Sequence, residues 1–368
     1  MALVRRSSEG LNRPNFKLGL FAANCAGGQA VTTVPESWPA TWEDNRKVAQ
    51  IADQEGIDFL LPIARWKGYD GAGIFHTSSL ETTTWATSLL AVTKNLTVFS
   101  TVHVAFTHPV MAAKQFATAA QVGNGRFGLN VVCGWNEPEY RMFGLSLPQA
   151  HAARYAYGRE WLQIVRRLWR EQEPFDWRGE HFQLEKAISA PKPPGEEPLI
   201  LNAAASAEGK DFAIEQSDFL FTSLIDLDRA KNNVATLKAL AMERHNRSIE
   251  VLGVGHVVCR PTRKEAEDYY DYYANQRADW TGVDRLMQIQ SRFAKSFTPD
   301  EMQRLRIRFA GGHGTYPLVG SPDDVAAELL RIRQTGLAGI AFSFVNYLNE
   351  LPYFCAEVLP RFRRMASH

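Results

Sequence analysis

The sequence predicts an α/β protein, a (β/α)8 TIM barrel carrying insertions. Three observations point there. Eight short apolar, β-branched or aromatic runs punctuate the 368 residues, with longer amphipathic stretches between them. Eight is the strand count of a closed barrel. No Gly-x-Gly-x-x-Gly follows the first run, which weakens the runner-up, a doubly wound open sheet.

The predicted strands are "KLGLFA" (17–22), "DFLLPI" (58–63), "LTVFSTVHV" (96–104) and "RFGLNVV" (126–132), then "PLILNA" (198–203), "DFLFTS" (218–223), "EVLGVGHVV" (250–258) and "AGIAFSFV" (338–345). Strands buried on both faces read as near-continuous apolar runs, as these do. "TWEDNRKVAQIADQEG" and "HPVMAAKQFATAAQVGNG" read as helices ending in glycine-containing turns. Two connections are longer than a βα unit needs, about 133–197 and 259–337. The first holds a long helix, "HAARYAYGREWLQIVRRLWRE", and a Pro-rich arm. The second holds "EAEDYYDYYANQRADW" and "GGHGTYPLVGSPDD". Such insertions at a barrel's functional face serve as lids or subunit contacts. Residues 1–368 are therefore read as one decorated barrel domain.

Composition narrows the function classes. With 41 Lys and Arg against 40 Asp and Glu, the net charge of +1 gives no electrostatic case for nucleic acid or membrane partners. Cys25, Cys133, Cys259 and Cys355 are scattered without a Cys-x-x-Cys, which argues against a disulfide framework or a metal site and suits a reducing cytoplasm. "MALVRRSSEGLNRPNF" has basic residues but no apolar core, so a secretory leader is not expected. No run approaches the about 18 apolar residues of a membrane span.

In such a barrel the chemistry sits at the C-terminal ends of the strands. There the sequence offers Ala64, Arg65 and Trp66 after strand two, and Ser100, Thr101 and His103 on strand three. Asn130, Cys133 and Trp135 belong to strand four, and Asn202 leads into "NAAASAEG" after strand five. His256 lies on strand seven, and Ser343 and Asn346 on strand eight. No paired-acid arrangement, Gly-x-Ser-x-Gly or His-Glu-x-x-His is present. Amides, hydroxyls and aromatics suit cradling a flat polar cofactor. Each residue also has a plainer reading. Buried Asn130 fits a structural amide equally well, Thr101 fits simple β-propensity, and His103, His108, His256 and His313 fit packed or surface histidines. Cys133 fits an inert buried thiol. Ser206 fits a helix N-cap, although the same turn makes an anion site. Residue by residue, the reading stops at a barrel enzyme with a phosphate-bearing ligand.

Taken together, "FKLGLFAAN", "NGRFGLNVVCGWNEPEY", "ARYAYGREWLQIVRRLW", "GEHFQL" and "YPLVGSPDDVAAEL" resemble the bacterial-luciferase-like flavin-dependent monooxygenases. Within that family the pyrimidine (uracil) enzymes are most similar, and the dimethylsulfone and alkanesulfonate enzymes less so. The resemblance implies that Ala64 and Arg65 lie beside the flavin ring and that Asn130 contacts it near its reactive nitrogen. It makes Glu139 a flavin-site acid, puts Arg154 and Tyr155 at the flavin tail, and has Ser206 contact the phosphate. Thr101 with Asn130 would hold dioxygen, since a neutral hydroxyl and amide can both hydrogen-bond a developing peroxide anion. His103, which the resembled uracil enzymes lack in "TVHVAFTHP", completes the candidate catalytic set. "GYDGAGIFHTSSLET", Thr222-Ser223 and "GGHGTYP" also depart from those enzymes. The implied reaction takes reduced FMN from a separate NAD(P)H:flavin reductase, together with O2. Through a flavin-N5-peroxide it would cleave or oxygenate a small polar substrate, whether cyclic amide, organosulfur or organohalogen. The resemblance also implies a homodimer or homotetramer. The alternatives are a deazaflavin-dependent dehydrogenase on the same barrel and a flavin-binding protein without turnover.

Overall fold

A computed structural model describes residue 11 and residues 15–224, 226–290 and 298–367. Most of the N-terminal stretch considered above as a leader lies outside the described residues, as does part of the second long connection. The chain runs through β1 (Lys17–Phe21), α1 (Trp42–Glu55), β2 (Phe59–Leu61), α2 (Thr82–Val92), β3 (Thr97–His103), α3 (Pro109–Val122) and β4 (Phe127–Val132). It continues with α4 (Glu137–Met142), α5 (His151–Arg170), β5 (Phe175–Arg178), β6 (Gln183–Ala187), β7 (Leu199–Ala203), α6 (Ala207–Gln216), β8 (Phe219–Phe221) and α7 (Leu227–His245). Then come β9 (Glu250–Cys259), α8 (Arg263–Asp271), α9 (Trp280–Ile289), α10 (Pro299–Gly312), β10 (Tyr316–Gly320), α11 (Pro322–Gln334), β11 (Gly339–Ser343), α12 (Tyr347–Tyr353) and α13 (Leu359–Ala366).

Strands β1, β2, β3, β4, β7, β8, β9 and β11 pair in parallel in that order, and β11 returns to β1 through Lys17↔Gly339 and Leu20↔Phe342, closing the barrel. These are the eight runs that the sequence marked. β2 is shorter than predicted because Pro62 has no N–H to give the ladder. Two elements were not anticipated. β5 and β6 form an antiparallel hairpin within the arm expected to be irregular. "YPLVG", expected as part of a polar insertion, is the strand β10. β9 is ten residues long and outruns its neighbour β8, so its last five residues pair with β10, from Tyr316↔Gly255 to Gly320↔Cys259.

The pleat decides what fills the barrel. Phe59, Leu61, Phe99, Leu201, Phe219, Phe221, Leu252, Val254 and Ala341 form one buried cluster from strand after strand. Phe59 and Phe99 meet edge to face at 6.0 Å, and Phe21 and Phe221 lie 5.0 Å apart. Gly19 and Gly128 make room for these rings. A Cβ at either would stand 2.4 or 2.5 Å from the Phe59 or Phe99 ring. Each buried ring contributes about 1.5–3 kcal/mol relative to exposure. Two residues further along the same faces the character changes: Thr101 and His103 follow Phe99, Asn130 follows Gly128, and His256 follows Val254. A polar layer therefore caps an aromatic plug.

Candidate functional site

The polar layer is organised by β3 and β4, whose register pairs Thr101 with Asn130. Thr101 Oγ1 donates to the Pro62 carbonyl at 2.6 Å and accepts from Asn130 Nδ2 at 3.1 Å. The hydroxyl carries only one proton, and it is committed to Pro62. Thr101 therefore orients the amide, which corrects the expectation that hydroxyl and amide would both donate to a ligand. The free polar groups of the pair belong to Asn130: its second N–H, and Oδ1, which is buried without a partner among the described residues.

The end of β2 is pinned from two sides. Asn24 Oδ1 accepts from Ile63 N at 2.9 Å, and its Nδ2 donates to the Ile63 and Leu80 carbonyls at 2.8 and 3.1 Å. Sequence reasoning missed Asn24; its only signal is a lone amide among small residues after the first strand. From the other side, Glu139 Oε1 accepts from Arg65 Nη1 at 3.0 Å and from Trp66 N at 2.9 Å. Both side chains are almost fully buried, at 3% and 0% exposure. Burial opposes the Arg65 charge, yet its surroundings raise its pKa overall. Tyr69 and Cys25 are uncharged at neutral pH, since burial pushes each up to about 12, so the carboxylate of Glu139 holds the cation. Arg65 also lies over the rings of Tyr69 and Trp135, at 5.1 and 5.2 Å. Expected as a flavin-contacting acid, Glu139 is thus first a brace between the turn after β4 and the end of β2. Its Oε2 has no partner among the described residues.

The Gly-Trp turn after β4 has a steric origin. Gly134 adopts φ 111°, and a Cβ there would stand 2.0 Å from the hydroxyl of Tyr140, which itself donates to the Cys133 carbonyl. The Gly134 carbonyl accepts from Arg154 Nη1 at 3.0 Å, near the start of α5. Beyond Arg154 in the chain, Tyr155 lies close to Ser206, the N-cap of α6, whose Oγ accepts from Gly209 N at 3.1 Å. The Tyr155 hydroxyl packs so closely on Gly209 that a Cβ there would come within 2.4 Å of it. Tyr155 is therefore packed on the N-terminus of α6, and Arg154, its neighbour in the chain, has a buried Nε with no partner among the described residues.

The histidines of the mouth are neutral. Burial lowers His103 to about 4, with Glu139 and the Ala64 carbonyl opposing, and its Nδ1 has no partner among the described residues. Burial and then Arg308 lower His256 to about 3. Thr315 Oγ1 donates to the Gly312 carbonyl at 2.6 Å, so it accepts from His256 Nδ1–H at 2.9 Å, leaving His256 Nε2 a bare acceptor. Other expected residues serve the scaffold. Ser100 faces outward onto the Thr82 and Thr83 hydroxyls. Asn202 Nδ2 donates to the Val131 carbonyl, Asn346 caps α12, and His108 caps α3. Cys133 is buried and its thiol is pushed up to about 12, the inert state expected of it. Among the described residues no cluster of three metal-binding side chains occurs, and no helix is long and apolar enough to cross a membrane.

The fold and this mouth define a barrel enzyme whose polar site lies at the C-terminal ends of its strands. Residues 16–339 match the luciferase-like monooxygenase family, and the chain belongs to it. It is 29% identical over 352 residues, 94% of each chain, to the pyrimidine monooxygenase RutA of Acinetobacter baylyi. It is 27% identical over 363 residues, 97% of each chain, to the FMNH(2)-dependent dimethylsulfone monooxygenase of Pseudomonas fluorescens. The crystal structure of DmoA from Hyphomicrobium sulfonivorans superposes with a TM-score of 0.84 at 20% identity, over 96% of this chain and 89% of that one.

Proposed function

We propose that the protein is the oxygenating component of a two-component system. It takes reduced FMN from a separate NAD(P)H:flavin reductase and uses O2 to oxygenate or oxidatively cleave a small polar substrate. The observation that carries this reading is the Thr101–Asn130 pair above the aromatic plug, with Asn130 Oδ1 and one amide N–H left free. A structural amide at full burial would have those groups satisfied; an amide completed by a ligand need not.

The residues present fit FMN. Arg154, the Tyr155 hydroxyl and the α6 N-terminus at Ser206 suit a phosphate tail, while Ala64, Arg65 and Asn130 lie where a flat ring would reach the plug. Bound reduced flavin would supply two electrons and the ring edge at which dioxygen is activated. The chain's own contributions are positional and electrostatic. Pro62 fixes Thr101, Thr101 fixes Asn130, and the free amide N–H meets negative charge developing on oxygen in a dry pocket. Glu139 holds Arg65 and the backbone of Trp66 in place at the ring's border. Among substrates, a cyclic amide or pyrimidine, an organosulfur compound and an organohalogen compound all suit oxygen chemistry of this kind, and the two relatives are named for the first two classes.

The test is turnover of enzymatically reduced FMN in air, with products read by mass spectrometry across those classes. An oxygen-dependent product supports the reading. Hydride transfer from reduced deazaflavin under argon, with no product in air, replaces it with the dehydrogenase. FMN retention without oxygen consumption replaces it with a binding protein.

A further inference from the structure

Over the C-terminal end of β3, between the N-terminal ends of α2 and α3, lies a cavity of 510 Å³. It opens on the Thr101 side of the Thr101–Asn130 pair; Ala64, Arg65 and Thr101, which would border the flavin ring, form its inner wall, and neither Arg154, Tyr155 nor Ser206 lines it. Its walls carry a column of rings. His103 stacks on Phe106 at 5.1 Å and 3°, Phe106 stacks on Phe143 at 4.1 Å and 11°, and Trp66 meets Phe143 edge-on at 5.1 Å. The column runs from a buried histidine to rings that are 40% and 45% exposed at Phe143 and Trp66. Large aromatics left partly exposed around a concave opening are the usual furniture of a binding pocket.

The polar inventory is selective. The two fixed charges bordering the cavity are already engaged. Arg65 is paired with Glu139, and Glu81 accepts from Thr83 N and Thr84 N at 2.9 and 2.7 Å as the cap of α2. The two charges are thus compensated within the fold, although Arg65 Nε keeps an N–H without a partner among the described residues. At the inner end His103 Nδ1 is buried and has no partner among the described residues. Burial keeps the ring neutral with a single proton; with that proton on Nε2, Nδ1 is an acceptor that only a donor can complete. The volume is also several times that of a single six-membered ring.

We propose that this cavity is the substrate pocket and that it selects an uncharged, planar, at least bicyclic ring system that donates a ring N–H or phenolic O–H to His103 Nδ1 while lying along the Phe106–Phe143 stack. The proposal rests on the monooxygenase reading for placing the reacting edge beside Thr101 and Asn130. The recognition itself belongs to the cavity and is measurable without turnover. His103 sets specificity here because a site with an unpaired buried acceptor discriminates strongly against analogues that lack the donor.

The experiment is titration calorimetry on the full chain with and without oxidised FMN, where no oxygen chemistry occurs. The probes are 2-quinolone, N-methyl-2-quinolone and quinoline-2-carboxylate. Binding of 2-quinolone is expected, with N-methylation weakening it more than tenfold and the carboxylate weaker still. In His103→Leu the preference for N–H over N-methyl should fall to within about twofold, since the acceptor is gone. Phe143→Ala, at a half-exposed site that the fold does not depend on, should weaken both quinolones equally. Tighter binding of the carboxylate, an unchanged N–H preference in His103→Leu, or no binding of any probe would each overturn the proposal. Intact 2-quinolone binding with no oxygen-dependent product from any substrate would instead overturn the monooxygenase reading and leave the pocket standing.

Discussion

The two ends of the barrel solve the same problem in opposite ways. At the N-terminal face the polar groups are engaged. Arg126 donates to the Leu90, Thr93 and Leu96 carbonyls, the Asp53 carboxylate accepts from the Lys94, Asn95 and Leu96 amides, and the Asp58 and Asp218 carboxylates accept from Leu18 N and Ile200 N. At the C-terminal face buried atoms have no hydrogen-bond partner among the described residues: Asn130 Oδ1, His103 Nδ1, Glu139 Oε2, Arg65 Nε, Arg154 Nε and His256 Nε2. Toward the opposite face Ser217 Oγ also has no partner among the described residues, while Arg166 Nε, without a hydrogen bond, is ion-paired with Glu197 at 3.8 Å. An unsatisfied buried polar atom costs about 1–3 kcal/mol. Concentrating that cost at one end is tolerable in a fold whose aromatic plug supplies the stability, and ligands bound at the mouth would offset it. Stability and function are thus separated along the barrel axis, two residues apart on the same strands.

The sharpest way to break this comparison is to exchange one residue from each layer. Asn130→Leu should lower oxygen-dependent turnover by about 10²–10³-fold, the usual loss when a buried donor to developing charge is removed. Its melting temperature should stay level or rise, because an orphaned acceptor disappears along with one hydrogen bond. Phe99→Ala, one layer below, should cost about 3–5 kcal/mol of stability through the cavity it leaves. Denaturant unfolding and turnover, measured on both, decide the matter. A large loss of stability in Asn130→Leu would show that the mouth is structural after all.

How much of this division is legible in the sequence depends on range. The eight strands show because both faces are buried, so each is an apolar run, and Thr101 and Asn130 show as interruptions in those runs. β10 does not show: "YPLVG" is short, contains a proline and follows a glycine-rich turn, and it exists because β9 overhangs β8. The β5–β6 hairpin is largely exposed and so lacks an apolar signature. In the site, residue types could be read but their engagements could not. Arg65 and Glu139 are 74 positions apart, and the proton of Thr101 goes to a carbonyl 39 positions away. Only the closed barrel brings such partners together. That is why the brace that Glu139 makes to Arg65 and Trp66 was not expected.

Acid should expose the same asymmetry. His103 and His256 sit neutral in the mouth with pKa values of about 4 and about 3, below the ordinary 6.5 of the unfolded chain. The unfolded state therefore binds more protons than the folded state below about pH 6.5, and stability falls as pH drops from there toward 4. Each such group contributes a slope of up to about 1.4 kcal/mol per pH unit within that window. His256→Asn keeps a donor for Thr315 and removes the titrating ring. Its stability curve between pH 6.5 and 4 should be flatter than that of the parent by one proton. A parallel curve would mean that His256 does not resist protonation in the fold.

The smallest effect separates scaffold from ligand site at one residue. Ser206 caps α6 through Gly209 N, so it serves the helix whether or not a phosphate binds beside it. Ser206→Ala removes the cap and should cost about 1 kcal/mol of stability. Ser206→Asp keeps a capping oxygen but adds a negative charge where a phosphate would lie. For the empty protein Asp should therefore be nearly neutral in stability, while FMN affinity should fall more in Asp than in Ala. Fluorescence titration of FMN against both variants gives the ranking. If Asp binds FMN as tightly as the parent does, the tail does not lie at α6, and the cradle of Arg154, Tyr155 and Ser206 is scaffold alone.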